Sequence, residues 1–225
     1  MAGKPPCRIK FLYDGEEEIG SPNLPAFLRQ HQERFRGDVM VIADGPMHPS
    51  GRPTVSLGVR GVMMLEIRLQ TANQILHSGH YGNAAPNAAW DLVQLLATMR
   101  DPEGNCLVQD FYAEAKPPSP EEQELLANIP FDEAGMRSFL GLERWDGPAN
   151  LSFYDKTLFR PTFNINGLRS GTTGAARSTV IPHQATVSID VRLVADMNMD
   201  TVCRRIVEHV QERCPGAQVR ADPWL

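Results

Sequence analysis

"TVSLGVRGVMMLEIRLQTA", residues 54–72, is the stretch on which the fold turns. Apolar and polar side chains alternate around Glu66 and Arg68, which predicts one long strand or two with a single buried face. Downstream, "AAPNAAWDLVQLLATMR" (84–100) switches to helical spacing. Trp90, Leu92, Val93, Leu95, Leu96 and Met99 form its predicted core stripe, and Asn87 is a candidate cap. "TFNINGL" (162–168) and "ATVSIDVRLV" (185–194) predict strands. "NMDTVCRRIVEHVQERC" (198–214) predicts an amphipathic helix with Val202, Ile206 and Val210 in register, and "AQVRAD" opens a last strand. The order is β-α-(insert)-β-β-α-β, a ferredoxin-like α+β pattern over roughly 56–225. The insert, 101–160, is rich in proline and polar residues. Its "SPEEQELLANI" pairs Ser119 with Glu122 in a capping-box pattern, and "DEAGMRSFLGL" predicts a second short helix.

Ahead of this domain the texture differs. "CRIKFLYD" (7–14) and "DVMVIAD" (38–44) are apolar strand candidates on either side of "GSPNLPAFLRQHQERF". Within that helix candidate, Ser21 stands at the expected N-cap and Pro22 at the first helical position. Strand, helix, strand in under 40 residues predicts a βαβ unit with parallel strands. "GPMHPSGRP" (45–53) is a turn-rich connector, so the expected division is a partial α/β domain over 1–55 followed by the α+β domain over 56–225.

The 225 residues carry a net charge of −5, with no basic cluster long enough to reverse it, which argues against a nucleic-acid partner. No run of 18 apolar residues predicts a membrane span. Cys7, Cys106, Cys203 and Cys214 are scattered without a C-x-x-C pair, so neither a zinc knuckle nor a dense disulfide framework is expected, and a cytoplasmic home is.

Both early strand candidates end in acid: Glu16, Glu17 and Glu18 after the first, Asp44 after the second. Ligands of open α/β sheets bind beyond the carboxyl ends of parallel strands. Carboxylates converging there favour a divalent cation, and one of them could then act as general base. The plainer alternative is an acidic turn that benefits from the following helix dipole, and an Asp44 that caps its own Asp-Gly turn.

Four segments resemble one family. "DGEEEIGS" resembles the E-G-x-E-E-x-G-S motif of dinuclear zinc metallopeptidases and deacylases that carry a dimerisation (lid) domain, the family-twenty metallopeptidases. These include glutamate carboxypeptidase, acetylornithine deacetylase and carnosine-type dipeptidases. "IADGP" resembles the family's next metal-ligand segment, "LHSGHYGNAAPNAAWDLVQLL" its lid motif, and "ARSTVIPHQATVSIDVRLV" the later strand pair of the lid. The dipeptidase-like branch is the best match.

The resemblance implies a hydrolase of the amide bond in a dipeptide or N-acyl amino acid, working as a homodimer. Two divalent metals, zinc with manganese or cobalt as alternatives, would serve the complete site. The general base falls on Glu17, a metal ligand on Glu18, the first-metal aspartate on Asp44, and the lid histidine that reaches the partner subunit's oxyanion on His77. Thr179 and Arg192 fall on substrate-holding positions, the arginine on the one that pairs with the substrate carboxylate. Asp14 and Asn83 depart from the pattern, as does His80, three residues after His77 and expected to be a loop residue without special role. Of five family ligands only Glu18 and Asp44 fall on this sequence, so an incomplete metal site is expected. His31, His48, His183 and His209 are expected at the surface. The alternative function is a non-catalytic dimerisation module, a truncated product or excised segment, associating through the lid's sheet edge and helices.

Overall fold

The computed structural model describes residues 6–45, 47–172 and 178–222, and the chain divides into two compact units, Met1–Thr54 and Val55–Leu225. Among the described residues no helix is long and apolar enough to cross a membrane.

In the first unit the predicted helix forms as α1 (Leu24–Phe35), but its N-cap is Asn23 and its early proline is Pro25. Ser21 instead takes a left-handed φ of 50° and spends its hydroxyl on Asp14. The strands expected at 7–14 and 38–44 do not form. Neither stretch carries strand pairing among the described residues, so the expected parallel βαβ ladder is absent. An extended run becomes a strand only when a neighbour takes its N–H and C=O groups. Here Tyr13, Val39, Val41 and Ile42 all stay exposed.

The second unit is the ferredoxin-like α+β domain. β1 (Gly61–Gln70), β2 (Leu76–His77), α2 (Ser78–Tyr81) and α3 (Ala88–Ala97) lead into an insert holding α4 (Pro120–Ala127) and α5 (Glu133–Leu140). β3 (Thr162–Ser170), β4 (Val180–Ile181), β5 (Gln184–Leu193), α6 (Met199–Arg213) and β6 (Gln218–Asp222) complete it. The main sheet runs β3-β5-β1-β6, all antiparallel, and β2 pairs separately with β4. The opening stretch thus contributes one strand, and residues 54–60 lie outside it.

Alternation decides which face is covered. Met63, Leu65, Ile67 and Leu69 of β1 meet Ala185, Val187, Ile189, Val191 and Leu193 of β5 on one face. Leu92 and Leu95 of α3 and Val202, Ile206 and Val210 of α6 close that layer. The predicted cap of α3 holds, Asn87 accepting from the Ala89 N–H at 3.0 Å, and the structure adds a cap on α6, where Asn198 accepts from the Thr201 N–H at 2.9 Å. Ser119 and Glu122 close a full capping box, and the Ser119 N–H draws the Glu122 carboxyl below its usual range.

Two expectations are corrected. Trp90 and Val93 are not core but 65% and 45% exposed. Trp90 lies two residues from buried Leu92, roughly 200° around a helix of 3.6 residues per turn, and Val93 follows Leu92 by roughly 100°. His209 is not on the surface: it is buried on α6, seven residues after Val202, and hydrogen-bonds the Thr98 hydroxyl at 2.9 Å.

Burial, followed by the nearby Arg213 charge, pushes the His209 pKa below its ordinary value. The unfolded chain therefore binds this proton first as pH falls, so stability is full above the ordinary histidine range and declines below it. Urea titrations across pH 7 to 5 are expected to show that loss, and His209→Gln to diminish it. Ile67→Ala, at a fully buried position, is expected to cost about 2–5 kcal/mol, against less than about 0.5 kcal/mol for Glu66→Ala on the open face.

Candidate functional site

The acidic turn sorts its carboxylates into two jobs. Asp14 accepts from the Ser21 hydroxyl at 2.5 Å and from the Glu16 N–H at 2.9 Å, and these bonds lower its pKa. Glu16 holds the Asn23 side-chain amide at 2.9 and 3.0 Å. These two acids therefore fasten the turn to the start of α1. Glu17 and Glu18 begin a 3₁₀ turn, Glu17–Ile19, that ends on Gly20 at φ 83°, a backbone shape suited to glycine. Both are exposed, as is Asp44.

Among the described residues no three His, Cys, Asp or Glu side chains converge in a metal-holding group. The described residues therefore do not by themselves complete a metal site.

In the second unit, His77 and Thr179 come together. The β2–β4 pairing sets His77 opposite Val180, and the Ser78 N–H donates to the Thr179 carbonyl at 2.9 Å. His77 also caps α2: its Nδ1 accepts from the Gly79 N–H at 3.0 Å. A ring nitrogen that accepts carries no proton, so neutral His77 holds its proton on Nε2. That nitrogen lies 3.2 Å from Thr179 Oγ1 and donates to it. A Cβ on Gly79 would stand 2.9 Å from the His77 ring, so the glycine makes room for this cap. Asn83, where the family motif has glycine, keeps the turn by adopting φ 63°, which asparagine tolerates. His80 is helical rather than a loop residue; its ring centroid lies 4.8 Å from that of His77.

Arg192 is elsewhere. It lies on β5 opposite Val62 and Thr162, eight residues beyond Gln184, where β5 begins beside the β2–β4 end. At about 3.4 Å per residue that is roughly 27 Å. Its guanidinium faces the Asp190 carboxylate at 3.6 Å, and Asp190 also accepts from Asn164 at 2.9 Å. Around it is a cleft of about 380 Å³. The sheet end supplies Arg60, Asp190 and Arg192, while the insert supplies Asp146, Lys156 and Arg160. Asp190 was legible in the sequence, since residues two apart on a strand share a face. Arg60, Lys156 and Arg160 come from distant segments and carried no such signal.

The family model of the peptidase dimerisation domain matches residues 57–218. The human beta-Ala-His dipeptidase is 27% identical over 209 residues, covering 92% of this chain and 41% of its own length. The Cys-Gly metallodipeptidase of Schizosaccharomyces pombe is 26% identical, with 91% and 44% covered. An M20 family metallo-carboxypeptidase from Sulfolobus solfataricus superposes with a TM-score of 0.82 at 28% identity, covering 93% of this chain and 48% of that one. Human carnosine dipeptidase 1 superposes at 0.79 and 25% identity, with 92% and 45% covered. The chain thus spans less than half the length of each of these relatives.

Thr179→Val removes the acceptor of the His77 Nε2 proton while keeping the side chain's shape. Nitrogen-15 imidazole shifts are expected to keep the Nε2–H tautomer, because the Gly79 N–H still donates to Nδ1, while the Nε2 proton exchanges faster with water, with the β2–β4 amide signals in place. With its lid sheet, its His77 turn and a matching domain over most of its length, the chain belongs to the M20 metallopeptidase family, the family that carries the peptidase dimerisation domain.

Proposed function

We propose that the chain is part of a metal-dependent amide hydrolase, acting on a dipeptide or N-acyl amino acid as a homodimer. The observation that carries this is the separation of His77 and Thr179 from Arg192 along β5. A dipeptide is far shorter than roughly 27 Å, so one copy of the lid cannot bring both ends to one substrate. Two copies can, if Arg192 of one holds the substrate carboxylate while His77 of the other reaches the scissile carbonyl.

Each side chain suits its part. Arg192 offers a fork for the carboxylate. The Nε2–H of His77 would turn its hydrogen bond from Thr179 Oγ1 to the oxygen on which charge develops, keeping its proton, a role worth about 10²–10³ in rate for one such donor. Thr179 holds the ring until then. Glu17, exposed and outside the hydrogen bonds that tie down Asp14 and Glu16, is the general base for the attacking water. Glu18 and Asp44 are the two metal ligands this chain contributes. Zinc is the proposed metal, with manganese or cobalt as substitutes, and further ligands are needed to complete the site.

The partner's place is supported by exposed apolar surface. Trp90 and Val93 lie on the outer face of α3, a few residues beyond the His77 turn. β3 ends the sheet and exposes Ile165 and Leu168 beside a bulge. Apolar residues on an open sheet edge favour pairing with a second copy. The chain's four cysteines are free thiols, in keeping with the proposed cytoplasmic setting.

A second reading, a non-catalytic dimerisation module, is favoured by the lack of converging metal ligands among the described residues. Hydrolysis separates the two. In a protein that holds this chain together with the further metal ligands, His77→Asn and Arg192→Ala are each expected to lose dipeptide hydrolysis, and their mixture to regain about a quarter of it, because statistical pairing in a two-fold dimer rebuilds one site in half the dimers. No hydrolysis by that zinc-loaded protein without substitutions, with dimers still present, would favour the module. Sedimentation of Trp90→Asp is expected to give monomers with unchanged circular dichroism; a monomeric wild type at high concentration would overturn both readings.

A further inference from the structure

Resting on that hydrolase reading, we propose that the cleft around Arg192 binds a second acidic group of the substrate, so that the protein selects dicarboxylates: an acyl or peptidyl residue with an acidic side chain next to its terminal carboxylate. Five cations line the cleft against two carboxylates, an excess of three positive charges in a chain whose net charge is −5. Such a concentration is costly to hold together and is relieved by an anion.

The existing contacts leave specific cations over. Arg100 is paired with Asp146, and Asp190 answers Arg192. Arg160 donates to Asn105 at 2.7 Å and stands 4.1 Å over the Tyr112 ring. Two remain. The Lys156 ammonium has no hydrogen bond or ion pair among the described residues, and the Arg60 Nη1 atom is buried without an acceptor. Buried polar donors are nearly always satisfied, so one that is not marks the place of an absent acceptor. Burial and the like charge of Arg192 lower the Arg60 pKa, which puts the two guanidinium groups within electrostatic reach of each other. A carboxylate on Arg192 leaves Arg60 and Lys156 to meet a second one. The cleft's volume of about 380 Å³ falls in the range of small-molecule sites.

The insert therefore has a function in this proposal. It supplies Lys156, Arg160 and the Arg100 partner Asp146, so the segment outside the α+β repeat sets specificity at the sheet end.

Calorimetric titration of the chain with N-acetyl-L-glutamate and N-acetyl-L-glutamine tests it without requiring catalysis. The glutamate compound is expected to bind at least about tenfold more tightly, since each 1.4 kcal/mol is a factor of ten. Arg60→Gln and Lys156→Gln should each bring it toward the glutamine value, and Arg192→Ala should weaken both ligands. In the wild type, added sodium chloride should shrink the preference, a check that needs no variant to fold. Equal affinities, binding of neither ligand, a preference that survives in both variants, or inorganic phosphate bound as tightly as N-acetylglutamate would each overturn the proposal. Failure of the hydrolase reading shows separately, as loss of turnover with this binding preference intact.

Discussion

The pairing of β1 with β5 is the constraint on which the second unit depends. The ladder runs without a break from Gly61 opposite Leu193 to Gln70 opposite Gln184. Side chains alternate across a strand, so a slip of one residue would exchange the faces. Ile67 and Ile189 would then face water, while Glu66, Arg68 and Asp190 would enter the core. The cost of burying those charges holds the register. The same ladder holds the functional ends apart. At one end Thr71 donates to the His183 carbonyl and the β2–β4 pair presents His77 and Thr179; at the other Arg192 stands beside Asp190 and Thr162. A straight strand cannot fold these ends onto one small ligand, and this rigidity is the reason that the proposed hydrolase reading calls for a second copy.

The helices complete the ladder from one side only. Leu92 and Leu95 of α3 and Val202, Ile206 and Val210 of α6 cover the apolar face, while the opposite face stays polar. His209 sits inside this layer as a polar tie from α6 to Thr98, at the end of α3. Its burial is tolerated because the Thr98 hydroxyl meets one ring nitrogen. The insert adds its own apolar centre, in which Phe131, Phe153, Tyr154 and Trp145 are in ring contact. Phe111, from the start of the same insert, is buried in the main core, edge-on to Phe163 of β3. That attachment carries Lys156 and Arg160 to the end of the sheet.

The first unit follows a different logic. Its acidic turn is held by hydrogen bonds among its own residues, with Asp14 and Glu16 as acceptors. Three adjacent glutamates are tolerated because Glu17 and Glu18 stay in water, where like charges at such spacing cost little. Family resemblance assigns those two exposed acids chemical roles, and the local geometry is compatible with this because it leaves their carboxylates uncommitted.

Much of the lid was legible in the residues themselves. Strand alternation identified β1 and β5, helical spacing identified α3 and α6, and Asn87 and the Ser119–Glu122 pair marked helix starts, because caps and periodicity are local properties. His77, Thr179 and Arg192 were found by motif resemblance, which carries identity but no distance. Tertiary structure decided what depends on neighbours. Apolar runs at 7–14 and 38–44 stayed unpaired because hydrophobicity supplies no strand partner. Trp90 faced outward and His209 inward because each helix can turn only one face to the sheet. The cleft gathered Arg60, Lys156 with Arg160, and Arg192 from three separate segments. Local sequence dictates which faces are apolar and where helices begin; only long-range pairing decides which charges must share one place.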